Sequence, residues 1–204
     1  MSSHHIVTEN QEPAIIITDS EFDITVLEGL LEWGSKLIVV DSSLKKVVVD
    51  LGIKVDEVIC RLQEVEKVKK LLEIQYPHYQ LFVHEETTIE EIVCGYLNGQ
   101  RNFSFNILTN NEGLITNTNV YSGLKQIVVY QKKYRGNYVL KGASFSKWFV
   151  KDSLLEVVSV GNREGKYHTS NLKSTTKGSF KVIENGVAEI KANNGDFLVK
   201  YTVA

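Results

Sequence analysis

The feature that most constrains this chain is a change of rhythm along its length. Up to about residue 125, short β-branched runs alternate with stretches whose apolar residues recur at helical spacing; beyond it, strand-like runs follow one another without a helical stripe. Ala14 to Thr18 (AIIIT), bounded by Pro13 and Asp19, reads as a buried strand. Asp19, Ser20 and Asp23 then offer capping chemistry ahead of Val26, Leu27, Leu30 and Leu31, one helical face that Gly34 closes. Leu37 to Val40 (LIVV) predicts a second strand; Leu44, Val47, Val48 and Leu51 predict a helix ended by Gly52, and Glu57 to Cys60 a third strand. A helix over Glu64 to Glu73, a strand over Gln80 to His84, a helix from Ile89 to Leu97 capped by Thr87 and Thr88, and a strand over Phe103 to Leu108 complete the series.

Alternation of this kind predicts an α/β fold: an N-terminal, mostly parallel, Rossmann-like sheet with helices on both faces, joined by right-handed crossovers. Ligands of such sheets gather at the carboxyl ends of the strands, which here are Asp19, Asp41, Arg61, Glu85 with Glu86, and Thr109 with Asn110 and Asn111. The later runs, Gln126 to Tyr130, Asn137 to Leu140, Trp148 to Val150, Leu154 to Val160, Ser179 to Glu184, Val187 to Lys191 and Phe197 to Thr202, predict a C-terminal antiparallel β-sandwich of roughly 70 residues. Asn185-Gly186 and Asn194-Gly195 read as hairpin turns within it. The expected division is an α/β nucleotide-handling-type domain over 1–132 and an all-β sandwich domain over 133–204.

Composition narrows the function classes. Of 204 residues 43% are hydrophobic, enough for a core without staples, and the net charge of −2 provides no bulk basic field for nucleic acid or an anionic membrane. Cys60 and Cys94 have no metal-ligand spacing, which suits a reduced, cytoplasmic chain. No run approaches the roughly 20 apolar residues of a membrane span, and the start MSSHHIVTENQEP lacks the form of a signal peptide. His4 and His5 read as a solvated N-terminal pair.

Phosphate loops, dinucleotide fingerprints, nucleophile elbows and zinc-protease motifs are missing from the sequence, and His78, His84 and His168 read as ordinary polar side chains. Tyr130 to Arg135 (YQKKYR) interleaves aromatics with base but reads as a solvated hairpin tip, and Glu64, Glu66, Lys67, Lys69 and Lys70 as the exposed lattice of a helix. Trp33 and Trp148 suit core or interface positions, with Trp148 also able to stack on an aromatic ligand at a domain or subunit boundary.

The stretch LIVVDSSLKKVVVDLGIKVDEVICRLQEV, Leu37 to Val65, resembles the thiamine pyrophosphokinase family in its order of strand, acid, helix, L-G-I-x-x-D, strand and polar turn. Thr169-Ser170-Asn171 looks like that family's Ser-Asn segment lying against thiamine. The resemblance implies a nucleotide-handling α/β domain followed by a β-sandwich, a homodimer, and Mg²⁺-dependent transfer of a pyrophosphoryl group from ATP to thiamine. By the same likeness Asp41 is the catalytic acid and Ser170 and Asn171 bind ligand; Arg61, as a strand-end guanidinium, and Trp148, as a stacking ring, are further ligand-binding candidates on their own chemistry.

The departures from the family pattern are equally specific. Ser42 and Ser43 replace two glycines where backbone should approach phosphate. The second acidic motif falls on Cys60, Arg61, Leu62, Gln63 and Glu64, placing a cation where an acid belongs. Thr87-Thr88 lacks the acid of the family's Thr-Asp pair, and Thr109 to Asn119 holds no counterpart of its Gly-Gly-Arg-x-Asp-His segment. Because phosphoryl transfer rests on positioned metal and charge, these losses imply a pseudoenzyme with a retained thiamine-type pocket. The alternatives are an active thiamine diphosphokinase holding Mg²⁺ and ATP through Asp41, Glu64 and Glu86, or a non-catalytic dimeric interaction protein. At single residues two readings also stand: Asp41 caps the helix that follows or binds metal, and Arg61 pairs with Glu64 or Glu85 or grips an anion.

Overall fold

Ile15, Ile16 and Ile17 of β1 (Ala14–Ile17) are buried on both sides, which is why that strand is an unbroken apolar run. In the computed structural model, residues 12–75, 79–100, 103–116, 124, 126–132, 134–160 and 166–202 are described. His4, His5 and His78 lie outside the described residues. The α/β half continues with α1 (Ile24–Leu31), β2 (Leu37–Val40), α2 (Asp41–Leu44) running into a π-helical stretch (Lys45–Asp50), β3 (Glu57–Arg61), α3 (Val65–Leu72), β4 (Gln80–His84), α4 (Ile89–Asn98), β5 (Ser104–Leu108), α5 (Glu112–Thr116) and β6 (Gln126–Tyr130).

These six strands are mutually parallel in the order β4-β3-β2-β1-β5-β6. Helices cover both faces, as expected. Leu27, Leu44, Val47, Val68 and Leu72 of the first three helices and the π-helical stretch pack on Ile15, Val39 and Val58. Ile92, Val93 and Leu97 of α4, with Leu114 and Ile115 of α5, cover Ile16, Ile38 and Ile107 on the other side. The chain steps outward from β1 to β4 on one side and then returns to place β5 on the other, so the order reverses between β1 and β5. Tyr96 of α4 donates to the buried Glu57 Oε2 of β3 at 2.5 Å, and Lys36 pairs with the same carboxylate from the solvent side.

The β-rich half comprises β7 (Tyr134–Val139), β8 (Ser144–Phe149), β9 (Leu154–Val160), β10 (Lys166–Ser170), β11 (Leu172–Thr176), β12 (Ser179–Val182), β13 (Gly186–Asn194) and β14 (Asp196–Thr202). β7, β14, β9, β12 and β11 extend the parallel sheet to eleven strands, while β10, β13 and β8 form a separate sheet that packs across them. Phe145, Phe149, Ala188 and Ile190 of the small sheet meet Val157, Phe180, Phe197 and Tyr201 of the large one in a single apolar cluster. The change of plan at 132/133 falls in the β6–β7 hairpin, and the large sheet runs straight through it.

Several expectations need correction. Neither Asn-Gly pair closes a hairpin: β12 and β14 belong to the large sheet and β13 to the small one, so both turns are corners where the chain changes sheet. Gly186 and Gly195 supply positive φ values of 151° and 98° there, so the pair signals a backbone conformation and leaves the partner strand open. Ser170 ends β10 and Asn171, at φ 57°, forms the corner into β11, two strands that the sequence runs did not include. α5 was likewise not expected within Thr109 to Asn119. No described helix is long and apolar enough to cross a membrane.

Candidate functional site

Two parallel neighbours, β2 and β3, are in register with Val40 beside Ile59, so the residues that leave their carboxyl ends are brought together. Those residues are Asp41 and Arg61. Asp41 Oδ2 accepts the Arg61 backbone N–H at 2.8 Å and Nε at 3.0 Å, while Oδ1 accepts Nη2 at 2.8 Å. This is a two-pronged, charge-assisted contact in the geometry that suits guanidinium and carboxylate best. The Asp41 side chain is 1% exposed and that of Arg61 23%. The hydrogen bonds that the Arg61 guanidinium donates to Asp41 push its already high pKa further up, against the opposing effect of burial.

The pairing revises the readings of both residues. Helix α2 begins at Asp41 itself, with Val40 in the capping position and no side-chain cap, so the carboxylate satisfies Arg61 and not the free N–H groups of the helix. Arg61 takes Asp41 as partner instead of Glu64 or Glu85; Glu64 pairs with Lys67 at 3.1 Å on the exposed side of α3. Cys60, on β3 immediately before Arg61, is buried, and desolvation together with the nearby Asp41 and Glu64 charges pushes its thiol up to about 11. It is not a nucleophile at neutral pH.

Beyond the pair lies a cleft of about 260 Å³ lined by Arg61, Leu62, Gln63, Glu85, Glu86 and Thr87. Thr88, at its edge, caps α4 through a reciprocal capping box with Glu91. Glu86 turns toward His84 Nδ1 at 3.6 Å. Asp41, Glu64 and Glu86 therefore do not fit a Mg²⁺ ligand set: both Asp41 oxygens are held by a cation, and among the described residues no three His, Cys, Asp or Glu side chains are grouped to hold a metal ion. Ser42 donates its hydroxyl to the Thr18 carbonyl at 2.8 Å, and the adjacent Ser43 is fully buried, with no hydrogen-bond partner for Oγ among the described residues.

At the point where strand order reverses, Thr18 Oγ1 donates to Thr109 Oγ1 at 2.6 Å, and Asp19 accepts the Asn110 N–H at 2.7 Å and the Glu21 N–H at 3.1 Å. This crevice is closed by hydrogen bonds between its own walls. The remaining sequence-predicted residues lie elsewhere, on the outer face of the small sheet. Ser170 pairs across β13 at Glu189 and Trp148 at Val187, so both belong to adjacent rows of one face, with Trp148 58% exposed. Asn171 follows in the left-handed region at φ 57°, its side chain donating to the Glu184 and Val187 carbonyls and accepting the Glu184 N–H. Ser170, Asn171 and Trp148 are thus gathered, on an open face. The Asp41–Arg61 contact was the feature missed from sequence; its signal was opposite charge at equivalent positions after two buried runs, LIVV-D and EVIC-R.

No protein-family model matches this sequence, and no curated protein matches it. Solved structures do. The thiamine pyrophosphokinase of Bacillus subtilis superposes with a TM-score of 0.65 at 12% identity, covering 95% of this chain and 100% of that one. The thiamin pyrophosphokinase of Geobacillus thermodenitrificans gives 0.65 at 13% identity over 94% and 97%, and the yeast enzyme 0.61 at 8% over 98% and 88%. The chain has a thiamine pyrophosphokinase-like fold.

Proposed function

We propose that the chain is a thiamine pyrophosphokinase-like protein that binds a thiamine-type small molecule and transfers pyrophosphoryl groups weakly or not at all. The Asp41–Arg61 pair carries this reading. Transfer of a pyrophosphoryl group relies on metal and donors placed around developing charge. Asp41, the acid best placed for that work, faces a guanidinium, and a Mg²⁺ ion brought to it would meet like charge within a few ångströms. In this account ATP and Mg²⁺ are not resident partners, and the protein acts in the cytoplasm without nucleic acid or membrane.

The ligand face is the outer surface of the small sheet, where Trp148 offers a ring and Ser170 a hydroxyl, with Asn171 fixing the corner beside them through its backbone hydrogen bonds. An open face of this kind binds a small molecule tightly only when a second wall covers it, which supports a homodimer. Val187, beside Trp148, adds apolar surface to such an interface.

A thermal-shift titration with thiamine, thiamine diphosphate, ATP and AMP, each with and without Mg²⁺, tests the proposal, because a ligand that binds only the native state raises the midpoint. The expected result is a shift with thiamine compounds that Mg²⁺ does not change. A Mg²⁺-dependent shift with ATP overturns it in favour of an active diphosphokinase, a reading supported by the Glu85 and Glu86 carboxylates beside Arg61 in one cleft. No shift with any compound would leave an interaction protein as the better account.

A further inference from the structure

A second cavity, of about 560 Å³, opens where β7 of the large sheet faces β8 of the small one, within the size range of small-molecule sites. Arg135, Asn137 and Val139 alternate with Gly136 and Tyr138 along β7, so they share the face turned toward the small sheet. On β8, Lys147 lies between Phe145 and Phe149 at the same parity as those two buried rings and points inward with them. Two cations from opposite sheets are therefore directed into one cavity, and among the described residues no carboxylate lines it.

Among the described residues neither cation is paired with a carboxylate, and Lys147 Nζ stands over the Tyr201 ring, 4.3 Å from its centroid. Arg135 Nε is buried with no hydrogen-bond partner, and its guanidinium carbon lies 5.0 Å from the Tyr130 ring centroid. Lys147 Nζ and Asn137 Nδ2 each donate to Tyr201 Oη at 3.0 Å. The Tyr201 hydroxyl, accepting twice, has its own proton left to donate. An inward lysine is a known protection for an edge strand, and β8 is the edge of its sheet. That reason covers Lys147 only. Arg135 stands on a strand paired on both sides, by β6 and β14, where an inward charge has no such use.

We infer that this cavity is a binding site for a small organic oxyanion, a carboxylate or phosphate monoester. The headgroup is gripped by the Arg135 fork and the Lys147 ammonium, and the apolar body lies against Val139 and Phe145. The site is separate from the strand-end cleft and independent of the thiamine-type reading.

The test is calorimetric titration of the full chain with phenyl phosphate and, separately, benzoate. Saturable one-to-one binding of either is expected, and the tighter one identifies the headgroup. Arg135→Met and Lys147→Met should each weaken it by about tenfold or more, while Lys173→Met, on exposed β11, leaves it unchanged. Without ligand, Arg135→Met should unfold no earlier than wild type, since it removes an unpartnered buried donor. If that variant does not fold, Arg135→Lys is read instead: it keeps the charge, loses the fork, and should still weaken binding. Absence of saturable binding below about 10 mM, or an equal loss with Lys173→Met, would overturn the inference. No thiamine compound or nucleotide is used, so its failure and that of the thiamine-type reading are distinguishable.

Discussion

Asp41 and Arg61 lie 20 positions apart in sequence and in contact in space, and only the parallel register of β2 on β3 connects them. Each residue could be read singly from the sequence, one as a cap or metal ligand and the other as a surface cation or anion grip. Their mutual satisfaction could not, because register is a tertiary property. The pair has a measurable weight. Asp41→Asn leaves the guanidinium against a neutral amide and should lower the unfolding free energy by about 2 to 3 kcal/mol, somewhat under the value for a fully buried pair because Arg61 reaches water. Denaturant unfolding checks this; a change below about 0.5 kcal/mol would reduce the contact to an ordinary surface pair. The thiols make a second residue-scale prediction. Burial, with smaller contributions from nearby acids, raises both Cys60 and Cys94 from an ordinary value of 9.0 to about 11. The folded state then keeps protons that the unfolded chain releases, so this stabilisation is complete below about pH 9 and is lost as pH rises toward 11. Stability measured between pH 8 and 11 should fall, and fall less in Cys60→Ala/Cys94→Ala; equal slopes for the two proteins would contradict the assignment.

At the scale of elements, legibility followed burial pattern. β1 and β2 are unbroken apolar runs and β3 has an apolar centre, Val58 to Cys60, because both sheet faces are covered, and α4 announces itself through Thr88 and Glu91. β10 and β11 were invisible for the opposite reason: KYHTS and LKSTT are exposed along nearly their whole length and show no apolar alternation. Hydrogen bonding to neighbouring strands holds them in place of burial. Thr88→Ala removes the cap of α4 and should destabilise by about 1 kcal/mol, with Thr88→Ser restoring most of it in denaturant unfolding. Gly178, at the turn between β11 and β12, has φ 80°, and a Cβ there would stand 2.9 Å from the Val157 carbonyl oxygen. Gly178→Ala should therefore cost about 2 kcal/mol by the same measurement.

For the molecule as a whole, the sequence predicts the order of the halves but conceals their union. One sheet passes through both, and Val160 and Leu198 of the β-rich half pack into the same cluster as α4 and α5. Far-UV dichroism and tryptophan fluorescence should consequently report one coincident unfolding transition, and two separated transitions would show that the halves melt independently. The fold is similar to that of solved thiamine pyrophosphokinases, while the strand-end residues Asp41 and Arg61 form a closed ion pair. Fold and site thus point in different directions, which is expected when function resides in particular side chains carried on a common scaffold. The direct measurement is thiamine diphosphate formation by the purified protein with thiamine, ATP and Mg²⁺. The account predicts turnover far below about 1 per second, a rate at the low end of ordinary enzymes, and turnover at or above that rate would contradict it.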